Sequence, residues 1–173
     1  VRIGRRGGFV DESGEFVIGP GPFFIGHFRP FKEGFALVSN NPETWKPLYY
    51  VDRHGRRLTD VDFEDADTFS DGLACIRLGG QFGYIDKTGR IRIKPQFKEA
   101  GEFVAGLAPV KTGDLFGYVD RDGRMVIRPQ FDSAYSFSEG LARVRIGDKC
   151  GFIVMSGRIV INPSFDDAQS FSE

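Results

Sequence analysis

Phe82-Gly83-Tyr84-Ile85-Asp86-Lys87-Thr88-Gly89-Arg90 returns as Phe116-Gly117-Tyr118-Val119-Asp120-Arg121-Asp122-Gly123-Arg124, and more loosely as Cys150-Gly151-Phe152-Ile153-Val154-Met155-Ser156-Gly157-Arg158, each time 34 residues on. A stretch that recurs at a fixed interval of this length marks one supersecondary unit copied in tandem. The register holds further along. Phe63, Phe97, Phe131 and Phe165 keep it, as do Ala66, Ala100, Ala134 and Ala168, then Phe69, Phe103, Phe137 and Phe171. Gly72-Leu73-Ala74, Gly106-Leu107-Ala108 and Gly140-Leu141-Ala142 complete the unit. An earlier copy runs from Gly8-Phe9-Val10-Asp11 through Phe31-Lys32-Glu33-Gly34-Phe35-Ala36, with its extra residues divided between the stretches 19–26 and 40–47. The chain therefore reads as one repeat domain over 1–173, in copies 1–47, 48–81, 82–115, 116–149 and an incomplete 150–173.

The copy itself predicts strands. Residues 82–86 alternate ring, Gly, ring, aliphatic and acid, and 90–94 alternate Arg-Ile-Arg-Ile-Lys, both at the period of a β-strand. Between them Asp-x-x-Gly makes a tight turn: the carboxylate accepts backbone N–H bonds two residues on, and Gly takes the positive φ that other residues resist. Pro95, Pro129 and Pro163 offer no N–H to a ladder, so they end or edge the second strand. The spacing of three in Phe-x-x-Ala-x-x-Phe-x-x-Gly suits a helical turn or irregular plug over the core. After each Gly alternation resumes, with Ala142, Val144 and Ile146 on one face and Leu141, Arg143 and Arg145 on the other: a third strand. The fold class is all-β, a tandem array of about five three-stranded repeats. It is either an open, solenoid-like meander or a closed propeller-like ring, since Val1-Arg2-Ile3 matches Val144-Arg145-Ile146 and could complete the last unit.

This unit, an aromatic-Gly-Tyr-Ile-Asp-x-x-Gly-Arg hairpin followed by Ile-x-Pro and Phe-Ser-Glu-Gly-Leu-Ala, resembles the bacterial WG repeat over nearly the whole chain. The Trp of that family's name is replaced by Phe82, Phe116 and Cys150. The resemblance implies a β-repeat module.

Composition bounds the rest. Phenylalanine supplies 18 aromatics against one Trp and five Tyr, as repetition of one core position requires. A formal charge of −1 argues against a nucleic-acid binder that relies on net charge. Cys75 and Cys150 are too few for a disulfide framework or a zinc site, and no run approaches the ~18 apolar residues of a membrane helix. The chain begins without Met and reads as a piece of something longer, from either compartment.

No residue set reads as catalytic, and none calls for a metal or cofactor. Asp11, Asp52, Asp86 and Asp120 recur singly at turns, so turn chemistry accounts for them better than calcium. His27 and His54 stand at non-equivalent positions with no ligand spacing. The strand cations and the carboxylates of the plugs would stack into one basic and one acidic stripe. The candidate binding residues are Arg92, Lys94, Arg128, Arg143 and Arg145 on the strands, with Trp45, Tyr49 and Tyr50 in or beside the non-repeating insertion. The expected function is a non-catalytic module for protein interaction or scaffolding. The alternatives are a glycan or cell-envelope binder, and a targeting or regulatory region of a larger enzyme or toxin.

Overall fold

A computed structural model describes residues 2–3, 6–10, 13, 15–18, 31–39, 41, 44 and 46–169. The described residues form strands and no helix. The strands are β1 (Arg2–Ile3), β2 (Arg6–Gly7), β3 (Phe9–Val10), β4 (Phe16–Ile18), β5 (Phe35–Ser39), β6 (Leu48–Asp52), β7 (Asp65–Ala66), β8 (Leu73–Leu78), β9 (Gln81–Asp86) and β10 (Ile91–Phe97). They continue with β11 (Glu99–Ala100), β12 (Leu107–Thr112), β13 (Leu115–Asp120), β14 (Met125–Phe131), β15 (Ser133–Ala134), β16 (Leu141–Ile146), β17 (Lys149–Val154) and β18 (Ile159–Phe165). From β7 onward they make three antiparallel four-stranded meanders, β7–β10, β11–β14 and β15–β18; β1–β2, β3–β4 and β5–β6 are two-stranded pairs. The hydrogen-bonded sheet is out of phase with the sequence copy: it joins the third strand of one copy to the hairpin of the next.

Alternation explains the stacking. In β8, Leu73 and Cys75 pack forward in one cluster with Ala108, Val110 and Val119 of the next sheet. Ala74 and Ile76 of the same strand pack backward with Leu37 and Tyr50. The next interface repeats the arrangement, with Leu107 and Tyr118 against Ala142, Val144 and Ile153. Each interior sheet is thus buried on both faces, and the core is a series of layers between sheets. Tyr84, Phe103 and Tyr118 are fully buried, and Phe63, Phe69 and Phe131 nearly so. In β16, Ala142 and Val144 face inward as the alternation predicts, whereas Ile146 at the strand end is 39% exposed.

Two local devices fix the hairpin. The Asp86 carboxylate accepts the Thr88 N–H at 2.8 Å and the Arg90 N–H at 3.2 Å, and Asp120 does the same for Asp122 and Arg124 at 2.9 and 2.8 Å. Gly83, whose φ is not in the left-handed region, is required for a different reason. A Cβ there would lie 2.5 Å from the Ile93 carbonyl oxygen and 2.6 Å from the Pro95 nitrogen. β10 bulges over the glycine, and its pairing with β9 shifts register between Ile91 and Ile93 and again before Phe97. Pro95 lies within this edge strand rather than ending it.

The Phe-x-x-Ala-x-x-Phe segment is not a helical turn. Phe97 closes β10, Lys98 alone crosses between sheets, and Ala100 already pairs with Val110 in the next sheet. The segment ends in a two-residue hairpin turn. Ser70 and Leu73 exchange N–H···O bonds of 2.8 and 3.1 Å around Asp71 and Gly72, whose φ values are 53° and 79°. Two successive positive φ values define the type I′ turn favoured between twisted strands.

Tyrosines tie sheet to sheet. The hydroxyls of Tyr50, Tyr84 and Tyr118 donate to the carbonyls of Asp67, Gly101 and Tyr135, at 2.5, 2.7 and 2.8 Å, always 17 residues ahead. Phe152 takes the equivalent place in the last sheet and has no hydroxyl to give. The array is open: β18 pairs only with β17, and β1 pairs with β2 instead of completing the last sheet.

Candidate functional site

The second strand of each hairpin, β10, β14 and β18, forms the outer edge of its sheet. These edges lie side by side. A Cβ on Gly123, at the tip of the β13–β14 hairpin, would stand 3.2 Å from the Ile93 side chain of β10, and Gly157 holds the same relation to Ile127 at 3.1 Å. Arg92 of β10 reaches Asp122 of that neighbouring tip at 3.0 Å. Only one residue in the first half of each strand points inward: Ile93 and Ile127 are both 3% exposed. Their neighbours Ile91, Met125, Val126, Ile159 and Val160 are 37–50% exposed. The three edges thus form a rim that carries exposed aliphatic side chains, with Arg92, Lys94 and Arg128 exposed on the same strands.

A second feature lies at the opposite, short-strand side. Between β11–β14 and β15–β18, a groove of about 450 Å³ is lined by Glu99, Pro109, Lys111, Phe116 and Tyr135. Its counterpart one sheet earlier, lined by Asp65, Cys75, Phe82 and Ala100, holds only about 110 Å³. In each, a cation of the same sheet covers the ring: Arg77 stands 5.5 Å from the centre of Phe82, and Lys111 stands 5.2 Å from that of Phe116. A cation already occupies the aromatic face, and the volume collapses from one copy to the next. The groove is therefore the weaker candidate.

A family model described as WG containing repeat matches four consecutive stretches, residues 50–81, 82–116, 116–150 and 151–173. The chain belongs to this repeat family. The WG unit here carries Phe82, Phe116 and Cys150 at its ring position, half-buried or buried beneath strand cations and connectors. Among solved structures the chain is similar to a protein of unknown function from Bacteroides caccae, at 14% identity and a TM-score of 0.35, covering 91% of this chain and 74% of that one. No curated protein matches it.

The WG array sorts the candidate residues read from sequence into three groups. Arg92, Lys94 and Arg128 stand on the rim; among the described residues no carboxylate pairs with Lys94 or Arg128. Arg143 and Arg145 serve the connector instead. The Arg143 guanidinium stacks 3.7 Å over Tyr135, pairs with Asp167 at 3.3 Å and donates to the Ala168 carbonyl, while Arg145 donates to Asp148 and Asp166 carbonyls at 3.3 Å. Tyr50 is 1% exposed and belongs to the core. Tyr49 is 7% exposed beneath Arg57, whose guanidinium carbon lies 4.2 Å from the ring centre. Burial pushes the Tyr49 phenol above its ordinary value, with Asp62 adding to the effect and Arg57 opposing it. Trp45, His27, Asp11 and Phe171 lie outside the described residues.

The two charge stripes expected from sequence do not form. Cations and carboxylates meet within and across sheets: Lys111 with Glu99 at 2.8 Å, Lys98 with Asp114 at 3.2 Å, Arg77 with Glu64 at 3.8 Å. Along the turn edge Lys87 pairs with Glu33 at 2.8 Å, and Glu33 in turn accepts the Gly72 N–H at 3.0 Å. Burial raises the Glu33 carboxyl, but Lys87 and the Gly72 N–H outweigh it and leave the pKa below its ordinary value. Arg121, Asp71 and Gly106 repeat the arrangement. Cys75 is buried, and burial, with Asp65 adding, pushes its thiol up to about 12, which removes it as a nucleophile.

What sequence reasoning missed was the aliphatic half of the rim. The signal was present: alternation in Arg-Ile-Arg-Ile-Lys places Ile91 and Ile93 on one face, but the bulge between them turns Ile91 outward.

Proposed function

We propose that this WG array is a non-catalytic repeat module that binds a protein partner through the rim of β10, β14 and β18. The observation that carries the reading is the exposure of Ile91, Met125, Val126, Ile159 and Val160 on three sheet edges, each of the first two met by the hairpin tip of the next sheet. Apolar side chains gathered in one exposed patch, with polar groups around them, are the mark of an interaction surface. The tandem cores account for the buried rings, and they do not account for these. Glycan binding, the alternative from another class, draws less support: sugars stack on exposed rings, and the recurring rings of the interior sheets, such as Phe63, Phe97, Phe131, Phe69, Phe103 and Phe137, are buried, with Phe165 exposed on the last sheet.

The test is chemical cross-linking of the purified chain in lysate, compared with a Val126→Asp, Val160→Asp variant and with Leu115→Asp, an exposed position outside these edge strands. Proteins captured by the wild type and by Leu115→Asp, and lost from the rim variant, are the expected outcome. Equal capture by all three, or hydrolase or transferase activity in the purified chain, overturns the reading.

A further inference from the structure

The rim is not uniform along the array, and its gradient identifies the partner's chemistry. On the first complete sheet, the stretch 90–97 carries Arg90, Arg92 and Lys94 and no carboxylate. The equivalent stretch of the second sheet, 124–131, retains Arg124 and Arg128, keeps an exposed apolar residue where Ile91 stood, now Met125, and gains the exposed Val126. On the third, 158–165, Arg158 is the one charged residue, and Ile159 and Val160 are both exposed. Position by position, Arg92 gives way to Val126 and Val160, and Lys94 to Arg128 and Asn162. Arg92 shares the exposed Asp122 of the neighbouring tip, and among the described residues no carboxylate pairs with Lys94, so this end of the rim selects acid by local complementarity, not by overall attraction.

Geometry sets the spacing. Stacked sheets lie ~10 Å apart, and an extended chain advances ~3.3 Å per residue, so a strand-like peptide crossing the edges meets each new sheet about every three residues. Addition of a strand along one edge is the competing geometry. The two register shifts in β10, and equivalent shifts in β14 and β18, disfavour it, because bulges break the flat, regular edge on which another strand would pair.

We infer that the rim binds an extended peptide segment of its partner laid across the three sheets, with an acidic residue over Arg92 and Lys94 and aliphatic residues, spaced by three, over Val126 and Val160. This rests on the protein-binding reading and sharpens it. A nucleic acid or other polyanion would engage the basic end but has no use for Val126, Ile159 and Val160. The rim's one exposed ring, Phe165 at the end of β18, makes no platform on which successive bases could stack.

The probe is a fluorescein-labelled peptide of about ten residues with a Glu-x-x-Leu-x-x-Val core, sized to span the three sheets at ~3.3 Å per residue. Binding is read by anisotropy to the intact 173-residue chain. Saturable binding is expected, weakened at least about tenfold when Glu is replaced by Gln in the peptide, when Arg92→Glu and Lys94→Glu are combined, and when Val126→Asp and Val160→Asp are combined. Circular dichroism confirms that the variants fold. The inference is overturned if a scrambled peptide binds equally well, if rim variants bind undiminished, or if heparin or a single-stranded oligonucleotide binds as tightly and competes. Failure here, with rim-dependent cross-linked proteins still recovered, would leave the protein-binding reading standing and remove only the peptide. Loss of both would remove the reading itself.

Discussion

Gly83→Ala tests the packing logic most directly. The glycine sits in the middle of β9 and is buried, and the nearest atoms to an added Cβ all belong to the main chain of β10: the Ile93 oxygen at 2.5 Å, the Pro95 nitrogen at 2.6 Å and the Lys94 carbonyl carbon at 2.9 Å. No side chain can rotate away. Restoring ordinary contact requires β10 to retreat by roughly 1 Å, since carbon atoms prefer 3.5–4.0 Å. That movement draws Ile93 and Phe97, 3% and 4% exposed, out of the layer they share with Tyr84 and Phe103. Overpacking of this kind costs about 3 kcal/mol, the upper end of the usual range. For a chain of this size each kcal/mol lowers the melting temperature by ~2–4 °C, so a fall of about 6–12 °C is expected. Gly113→Ala is the control. Its φ is 66° with nothing within 4 Å, so Ala there bears only the left-handed backbone cost of ~1–2 kcal/mol. Thermal melts followed by circular dichroism decide the matter. If Gly83→Ala melts at or above Gly113→Ala, β10 does not press on the glycine as described.

Tyr118→Phe removes the hydroxyl that bonds Tyr135 and leaves a buried carbonyl without that donor; a loss of ~1–2 kcal/mol is expected from urea midpoints, with unchanged slope. In the turn-edge series the third member is apolar: Ala105 stands where Asp71 and Glu33 stand, and Met155 where Arg121 and Lys87 do. Ala105→Asp supplies an acceptor for Gly140 N–H at a φ of 52° that Asp tolerates, so it is expected to raise the melting temperature by a few degrees; adding Met155→Arg contributes ~0–1 kcal/mol more, as exposed pairs do. For Asp86, partial burial raises the pKa but the bonds from Thr88 and Arg90 outweigh it, so the folded value is depressed. A depressed carboxylate contributes stability that is present above the unfolded value, ~3.9, and lost as pH falls through the folded one. Asp86→Asn is therefore expected to destabilise at neutral pH and to flatten the acid limb of the stability profile, and an unchanged limb would refute the assignment.

The repeat, the Asp-x-x-Gly hairpin and the inward rings were legible because each rests on a period or on the conformational demand of one residue. Tyr84 and Ile85 alternate, and alternation is what sends them to different layers. The connector was not legible for a related reason. Phe97, Ala100 and Phe103 are three apart, as on a helix, but they converge because the chain changes sheet at Lys98, an event with no local period. The type I′ turn was hidden by Asp71, Ala105 and Glu139, which hold positive φ without being glycine. Charge was misread because acids and bases were sorted by position within a copy, whereas stacking sets one copy's acids against another copy's cations, as Asp122 meets Arg92 of the copy before it.

Repetition also separates what the fold demands from what it leaves free. Successive sheets present the same geometry, so a residue that geometry requires should return in every copy. Gly83, Gly117 and Gly151 do, as do Ile93, Ile127 and Ile161, and Pro95, Pro129 and Pro163. Turn-edge positions that change do so with a matching change nearby, as Ala105 does with Met155. At the rim, Arg92, Val126 and Val160 occupy one geometric position with no shared property except exposure. Arg92 reaches Asp122 of the neighbouring tip, and where Val126 replaces the arginine the next tip carries Ser156, so the two charges disappear together and the array itself accounts for that change; the exposure of the valines that follow is what the rim variants test.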